Sequence, residues 1–273
     1  MSQLIKRAFL DTEDGQILYR IAGTGSPLLL LHMAPRSSDE FLEVMSILAN
    51  TRQVIAMDLM GLGDSDQPPR EYSVTDYAKC AIALWDQLGI KKCSVLGSLT
   101  GGYIAGEIAA AYPERVEKLI LCNVFGFERQ EQEQILQKYA QGFEVKADGS
   151  HLMARWSARV DSVGQGKLNH RCLIDDLKCF DSPIYPAMAA ANYFLTAKKR
   201  FGLITCPTLV LSGNKALESL IKAGLAKVDQ QNWLRQIISH SQKIELENGT
   251  LWMMNQMPQE ISTIVNDFLS ETR

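Results

Sequence analysis

The chain has 273 residues, 46% hydrophobic, 22% charged and 8% aromatic, with 19 Gly and 9 Pro. That length buries a sizeable core, and the composition excludes a disordered chain, a collagen and a coiled coil. The formal net charge of −3 implies no basic face, so nucleic acid is not an expected partner.

In chain order, Met1 to Leu10 carries Lys6 and Arg7 and lacks the apolar stretch of a signal peptide. Ala8–Thr12 and Gln16–Ala22 read as strands around the turn residues Asp14-Gly15. Leu28–His32 is an apolar strand, and its run Leu28–Leu31 is too short to span a bilayer. Asp39–Ala49 has helical spacing, capped by Ser38 or Asp39. Gln53–Asp58 is a strand, and the Gly and Pro residues from Gly61 to Pro69 mark a loop. Thr75–Leu88 is an amphipathic helix with Ser73 or Thr75 as cap. Cys93–Gly97 and Lys118–Asn123 are strands flanking Thr100–Ala111, a small-residue helix. Later come strand Thr208–Ser212, helix Ala216–Ala226, strand Gln242–Glu247 and helix Pro258–Leu269.

This alternation predicts a mostly parallel, twisted sheet with helices on both faces. Residues 125–203 break it with helical segments at Arg129–Tyr139, Leu152–Val160, Leu173–Phe180 and Ala187–Thr196. The expected organisation is a core of residues 1–124 and 204–273 under a helical lid, 125–203. Open α/β sheets bind ligands at the carboxyl edge that such a lid would cover. The six cysteines form no C-x-x-C pair, which predicts reduced thiols in a soluble cytoplasmic protein. His32, His151, His170 and His240 show no metal spacing, and no phosphate-binding glycine loop occurs. No metal, cofactor or membrane partner is expected, and the oligomeric state stays open.

Four segments resemble the α/β-hydrolase fold family. They are Leu31-His32-Met33-Ala34-Pro35, the run Asp58-Leu59-Met60-Gly61-Leu62-Gly63-Asp64-Ser65, the turn Gly97-Ser98-Leu99-Thr100-Gly101-Gly102, and Pro207-Thr208-Leu209-Val210-Leu211-Ser212-Gly213. The resemblance implies a strained elbow that lifts a nucleophile above the sheet, followed by an acid and a histidine. Those positions fall here on Leu99, Ala216 and Thr250, or Leu251 in place of Thr250 when counted back from Pro258. Glu218 lies close to the acid position, Asn123 occupies an alternative one, and His240 precedes the last strand. A leucine cannot attack a carbonyl, so the sequence points to a degenerate triad.

The backbone N–H groups of Ala34 and Thr100 remain candidates for an oxyanion-type pair. His32 is a weak candidate base beside a structural reading as the residue that orders the oxyanion loop. Met33, Arg36, Ser98, Leu99, Asn123 and Trp252 are candidates to contact a small-molecule substrate. Arg36 would hold a carboxylate through its guanidinium fork, with a structural ion pair as its alternative. The lid carries Arg155, Arg159, Asp161, Asp175, Asp176, Asp181, Tyr185, Asn192 and Tyr193; most of its charged residues are expected to be solvated, with His170-Arg171 the pair that stands out. The expected function is a non-hydrolytic enzyme of lyase, dehydratase or cyclase type. The alternatives are an inactive small-molecule-binding protein and a cryptic hydrolase using Ser98 or Thr100.

Overall fold

The structure, a computed structural model, describes residues 4–271 apart from 141–142, 165 and 181–184. Its strands are β1 (Lys6–Thr12), β2 (Gly15–Ala22), β3 (Pro27–Leu31), β4 (Gln53–Met57), β5 (Cys93–Ser98), β6 (Val116–Cys122), β7 (Thr208–Gly213) and β8 (Gln242–Leu246). They form one sheet in the order β1-β2-β4-β3-β5-β6-β7-β8. β2 runs antiparallel to β1 and β4, and every other neighbouring pair is parallel. The central strands are near-continuous apolar runs because helices cover both of their faces.

The period-two geometry of a strand divides the core into two layers. Leu29, Leu31, Ile55 and Met57 face one way, among residues of α2 (Val74–Gln87), α3 (Thr100–Ala111) and α8 (Tyr185–Phe201). Leu28, Leu30, Val54 and Ala56 face the other, among residues of α1 (Leu42–Leu48) and α12 (Pro258–Ser270). Between β6 and β7 the described residues form α4 (Arg129–Ala140), α5 (Ser150–Ser157), α6 (Val160–Val163), α7 (Lys167–Phe180) and α8. After β7 come α9 (Asn214–Lys222) and α10 (Trp233–Ile237), and after β8 come α11 (Met253–Gln256) and α12. None of the described helices is long and apolar enough to cross a membrane.

Local chemistry sets several boundaries. Ser73 caps α2 in a reciprocal box: its hydroxyl accepts from the Asp76 N–H at 3.2 Å, and the Asp76 carboxylate accepts from the Ser73 N–H at 3.0 Å. Lys118 on β6 sends its ammonium to the carbonyls of Phe268 (2.8 Å) and Glu271 (2.7 Å). It thereby serves acceptors that the end of α12 leaves open. Two expected helices differ. Residues 38–41 form a 3₁₀ turn before α1, with Ser37 rather than Ser38 or Asp39 accepting the capping N–H. The Ser38 N–H goes instead to Asp58 Oδ1 at 2.8 Å. The segment expected as one helix over 152–160 breaks after Ser157 into α5 and α6, and Arg159 at the break is fully buried.

Candidate functional site

β5 enters α3 through Leu99, whose φ of 47° and ψ of −108° lie where L-residues are seldom found. Two glycines make the turn sterically possible. A Cβ on Gly97 would stand 2.2 Å from the Gly101 carbonyl oxygen, and one on Gly101 would stand 2.1 Å from the Leu31 carbonyl oxygen. The Leu99 N–H is tied to the Cys122 carbonyl at 2.9 Å. Among the described residues, the N–H groups of Ala34 and Thr100 meet no acceptor.

Leu99 opens onto a cavity of about 270 Å³ between the sheet edge and the inserted helices. Met33, Leu99, Ile135, Leu251 and Trp252 form much of its apolar wall, and Arg36, Arg155 and Asp176 form a charged end. The structure therefore brings Met33, Ala34, Arg36, Leu99 and Trp252 together on one cavity. It places His32, Ser98 and Asn123 behind the wall, each at most 1% exposed.

The reason differs for each of these three. His32 Nδ1 stands 2.9 Å from the Met33 carbonyl oxygen, and Nε2 accepts the Leu59 N–H at 2.9 Å. Burial lowers its pKa against the opposing pull of Asp58. Both ring nitrogens are spent on backbone, which corrects the expectation of His32 as a candidate base and leaves it the loop-ordering role. Ser98 lies buried beside Glu40. Asn123, at φ 53°, accepts the Gly213 N–H at 2.9 Å and donates to the Thr250 carbonyl at 3.2 Å. Its amide joins the ends of β6 and β7 to the loop after β8 instead of reaching a ligand.

Ala216 and Thr250 flank that same junction. The Ala216 N–H donates to the Gly249 carbonyl at 3.1 Å, and the Thr250 hydroxyl bonds Gln256 Oε1 at 3.0 Å. A Cβ on Gly213 would meet the Gly249 oxygen at 2.3 Å, so backbone fills this corner. His240, near the start of β8, bonds the Cys206 carbonyl at 3.1 Å. Glu40 reads in the sequence as one of the run Arg36–Glu40 that could cap the following helix. It is fully buried, with Oε2 on the Met33 N–H at 2.8 Å. Burial pushes its carboxyl up to about 7, against the pull of Arg36.

The charged end is a network between the loop after β3 and the inserted helices. Arg36 Nε lies 2.6 Å from Asp175 Oδ2, and its Nη1 lies 3.3 Å from Asn255 Oδ1. Asp175 also accepts from the Ser37 hydroxyl and N–H. Burial alone would raise the Asp175 carboxyl, but the Arg36 charge and the Ser37 hydrogen bonds hold it below its ordinary value. Asp176 Oδ2 accepts from Arg155 at 2.9 Å and from Arg159. Asp176 Oδ1 and Arg36 Nη2 are buried without a hydrogen-bond partner among the described residues. Arg171 spans Asp39 (2.9 Å) and Glu43 (2.7 Å).

These pairings correct the expectation of solvated lid charges for Arg159, Asp175 and Asp176, which lie at or below 4% exposure. Arg36, although it lines the cavity, takes the ion pair that was its alternative role. Asp161, His170 and Asn192 are exposed. Tyr185 is half-buried, and the Tyr193 hydroxyl donates to Glu107 at 2.5 Å. Asp181 lies outside the described residues. No periodicity marks Asp176 as a cavity residue, since its contacts come from separate helices. Among the described residues no group of three or more His, Cys, Asp or Glu is placed to hold a metal. All six cysteines are free.

Residues 26–159 match the sequence model of the family described as the alpha/beta hydrolase fold. Epoxide hydrolase 4 of Mus musculus is 28% identical over 275 residues, covering 90% of this chain and 74% of that protein. An uncharacterized protein of Mycobacterium tuberculosis is 38% identical over 108 residues, 40% of this chain, and the match spans only 32% of that relative's length. The crystal structure of E-2-(acetamidomethylene)succinate hydrolase superposes with a TM-score of 0.79 at 18% identity, covering 98% of this chain and all of that one. At that identity the likeness is one of fold. Strand order, elbow and family match agree: the chain has the α/β-hydrolase fold.

Proposed function

We propose that the cavity beneath the inserted helices is the site of a non-hydrolytic enzyme, of lyase, dehydratase or cyclase type, acting on a small organic substrate. In this reading the inserted helices are a lid, and the triad positions carry Leu99, Ala216 and Thr250, none of which is a nucleophile, acid or base. The observation that carries the reading is the elbow, with Leu99 on the cavity and the backbone N–H groups of Ala34 and Thr100 without acceptors among the described residues. An unpaired buried donor costs about 1–3 kcal/mol, and a ligand oxygen between the two would offset that cost. Such a pair stabilises negative charge developing on a carbonyl oxygen, as in an enolate, without covalent attack. Asp176 lines the cavity, and its Oδ1 has no hydrogen-bond partner among the described residues, with Arg36 Nε 4.0 Å away. That oxygen would accept the proton leaving the neighbouring carbon. Arg155 would orient an anionic group of the substrate at the same end.

One observation favours binding without turnover. With His32 committed to backbone, Asp176 alone among the cavity's carboxyl and imidazole groups is placed to move a proton. A cryptic hydrolase has less support, since Ser98 is buried and no imidazole faces the elbow.

The first experiment treats the protein with a fluorophosphonate and measures its intact mass. No adduct is expected, and stoichiometric labelling lost in Ser98→Ala or Thr100→Ala would overturn the reading. The second incubates small keto acids with the protein in D₂O. Exchange of the α-proton, lost in Asp176→Asn, is the expected result. Ligands that bind without exchange or turnover would transfer the conclusion to a binding protein.

A further inference from the structure

A second cavity, about 450 Å³, opens between the start of α4, the end of α8 and α10. It shares no lining residue with the cavity at Leu99. Its walls are aromatic: Phe127 stacks on Phe194 with ring centroids 4.3 Å apart, and Trp233 stacks on Phe201 at 5.8 Å. Gly126 passes so close over the indole that a Cβ there would stand 2.5 Å from the ring. Phe127 and Trp233 are only half-buried, so apolar ring surface stays open to the cavity.

Two polar features give this apolar space a direction. Gln230, 7% exposed, accepts the Lys227 N–H on Oε1 at 2.8 Å, which fixes the orientation of its amide. Its Nε2 is then left buried on the cavity wall without an acceptor among the described residues. At the rim, Arg129 and Lys198 meet no carboxylate among the described residues, whereas Glu128 lies 3.8 Å from Lys227. A buried orphan donor, an aromatic bed and two unpaired cations together fit one kind of molecule.

We propose that this cavity is a second ligand site, distinct from the elbow, that takes a flat aromatic carboxylate. The ring lies against Phe127 and Trp233, one acceptor atom takes the Gln230 Nε2 hydrogen, and the carboxylate lies between Arg129 and Lys198. The ring surface supplies the affinity, while the donor and the cations select an anion over its neutral isostere.

The test uses 2-naphthoate as probe and 2-naphthalenemethanol as the neutral isostere, followed by calorimetry and by ¹⁵N–¹H spectra of the full chain. Saturable binding of one naphthoate, with shifts at the Gln230 side-chain amide and the Trp233 indole N–H, is the expected result. The double variant R129Q/K198Q, which alters only rim side chains, should weaken naphthoate about five- to tenfold and leave the alcohol unchanged. Naphthoate that does not saturate, that shifts neither Gln230 nor Trp233, or that binds the double variant equally well would overturn the assignment. Because no tested residue touches the elbow cavity, this outcome is independent of the enzyme reading.

Discussion

Protein encloses the Glu40 carboxyl on every side, with one oxygen on the Met33 N–H and the other without a hydrogen-bond partner among the described residues. Its ordinary value is 4.5, and burial carries it to about 7. Between those values the folded chain keeps a proton that the unfolded chain releases. Stability therefore falls as pH rises through that window, by up to about 1.4 kcal/mol per unit. His32 acts with the opposite sign: its lowered pKa means the unfolded chain takes up a proton below 6.5 that the folded chain refuses, so stability falls on acidification there. A Glu40→Gln variant isolates the first effect because glutamine keeps an acceptor for the Met33 N–H. Its urea midpoint relative to the parent should rise between pH 5 and pH 8. An equal difference at both pH values would show that Glu40 is ionised throughout.

At the scale of elements, the β5–α3 turn and the Asn123 amide do separate jobs. The turn presents the Leu99 side chain to the cavity, and the amide ties the ends of β6 and β7 to the loop after β8 beside it. Restoring a hydroxyl at the elbow supplies only one part of a hydrolytic site. Leu99→Ser should therefore hydrolyse p-nitrophenyl acetate no faster than the parent, because His32 is held by backbone and Thr250 and Ala216 offer no base. A rate gain of about a hundredfold or more would show that a base reaches the elbow after all.

Across the whole molecule, α8 joins the core through apolar packing, whereas α7 is fastened to it through ion pairs. Asp175 on α7 receives Arg36 and Ser37, Arg171 reaches Asp39 and Glu43, and Lys178 reaches Asp64 at 2.7 Å. Removing one partner of a buried pair costs about 3–5 kcal/mol. Asp175→Asn should accordingly speed amide exchange across α7 while β5, β6 and β7 keep their protection. Uniform acceleration over the whole chain would mean that α7 is not a separate unit. This layer was also the least legible in the sequence. The sheet could be read because strands such as Leu28–Leu31 advertise burial by composition, and Gly97 and Gly101 advertise the turn by spacing. The charges of the inserted helices read as solvent-facing because their partners lie far away in sequence, Asp175 standing 139 positions after Arg36. Met33 and Trp252 line the cavity, as their places in the loops after β3 and β8 suggest. Ser98 and Asn123 were misplaced because nothing local shows which way a side chain turns at a strand end.

In the proposed lid reading, the Asn123 amide and the ion pairs of α7 together give the elbow cavity a fixed floor and a detachable roof. Strand ends cross-linked by a buried amide cannot part to admit a molecule without breaking the sheet edge, whereas a helix held by ion pairs can lift. Entry then waits on the roof. The observed association rate should level off as ligand concentration rises, at a plateau equal to the opening rate and the same for unrelated ligands. Residence time would then belong to the protein more than to whatever it holds.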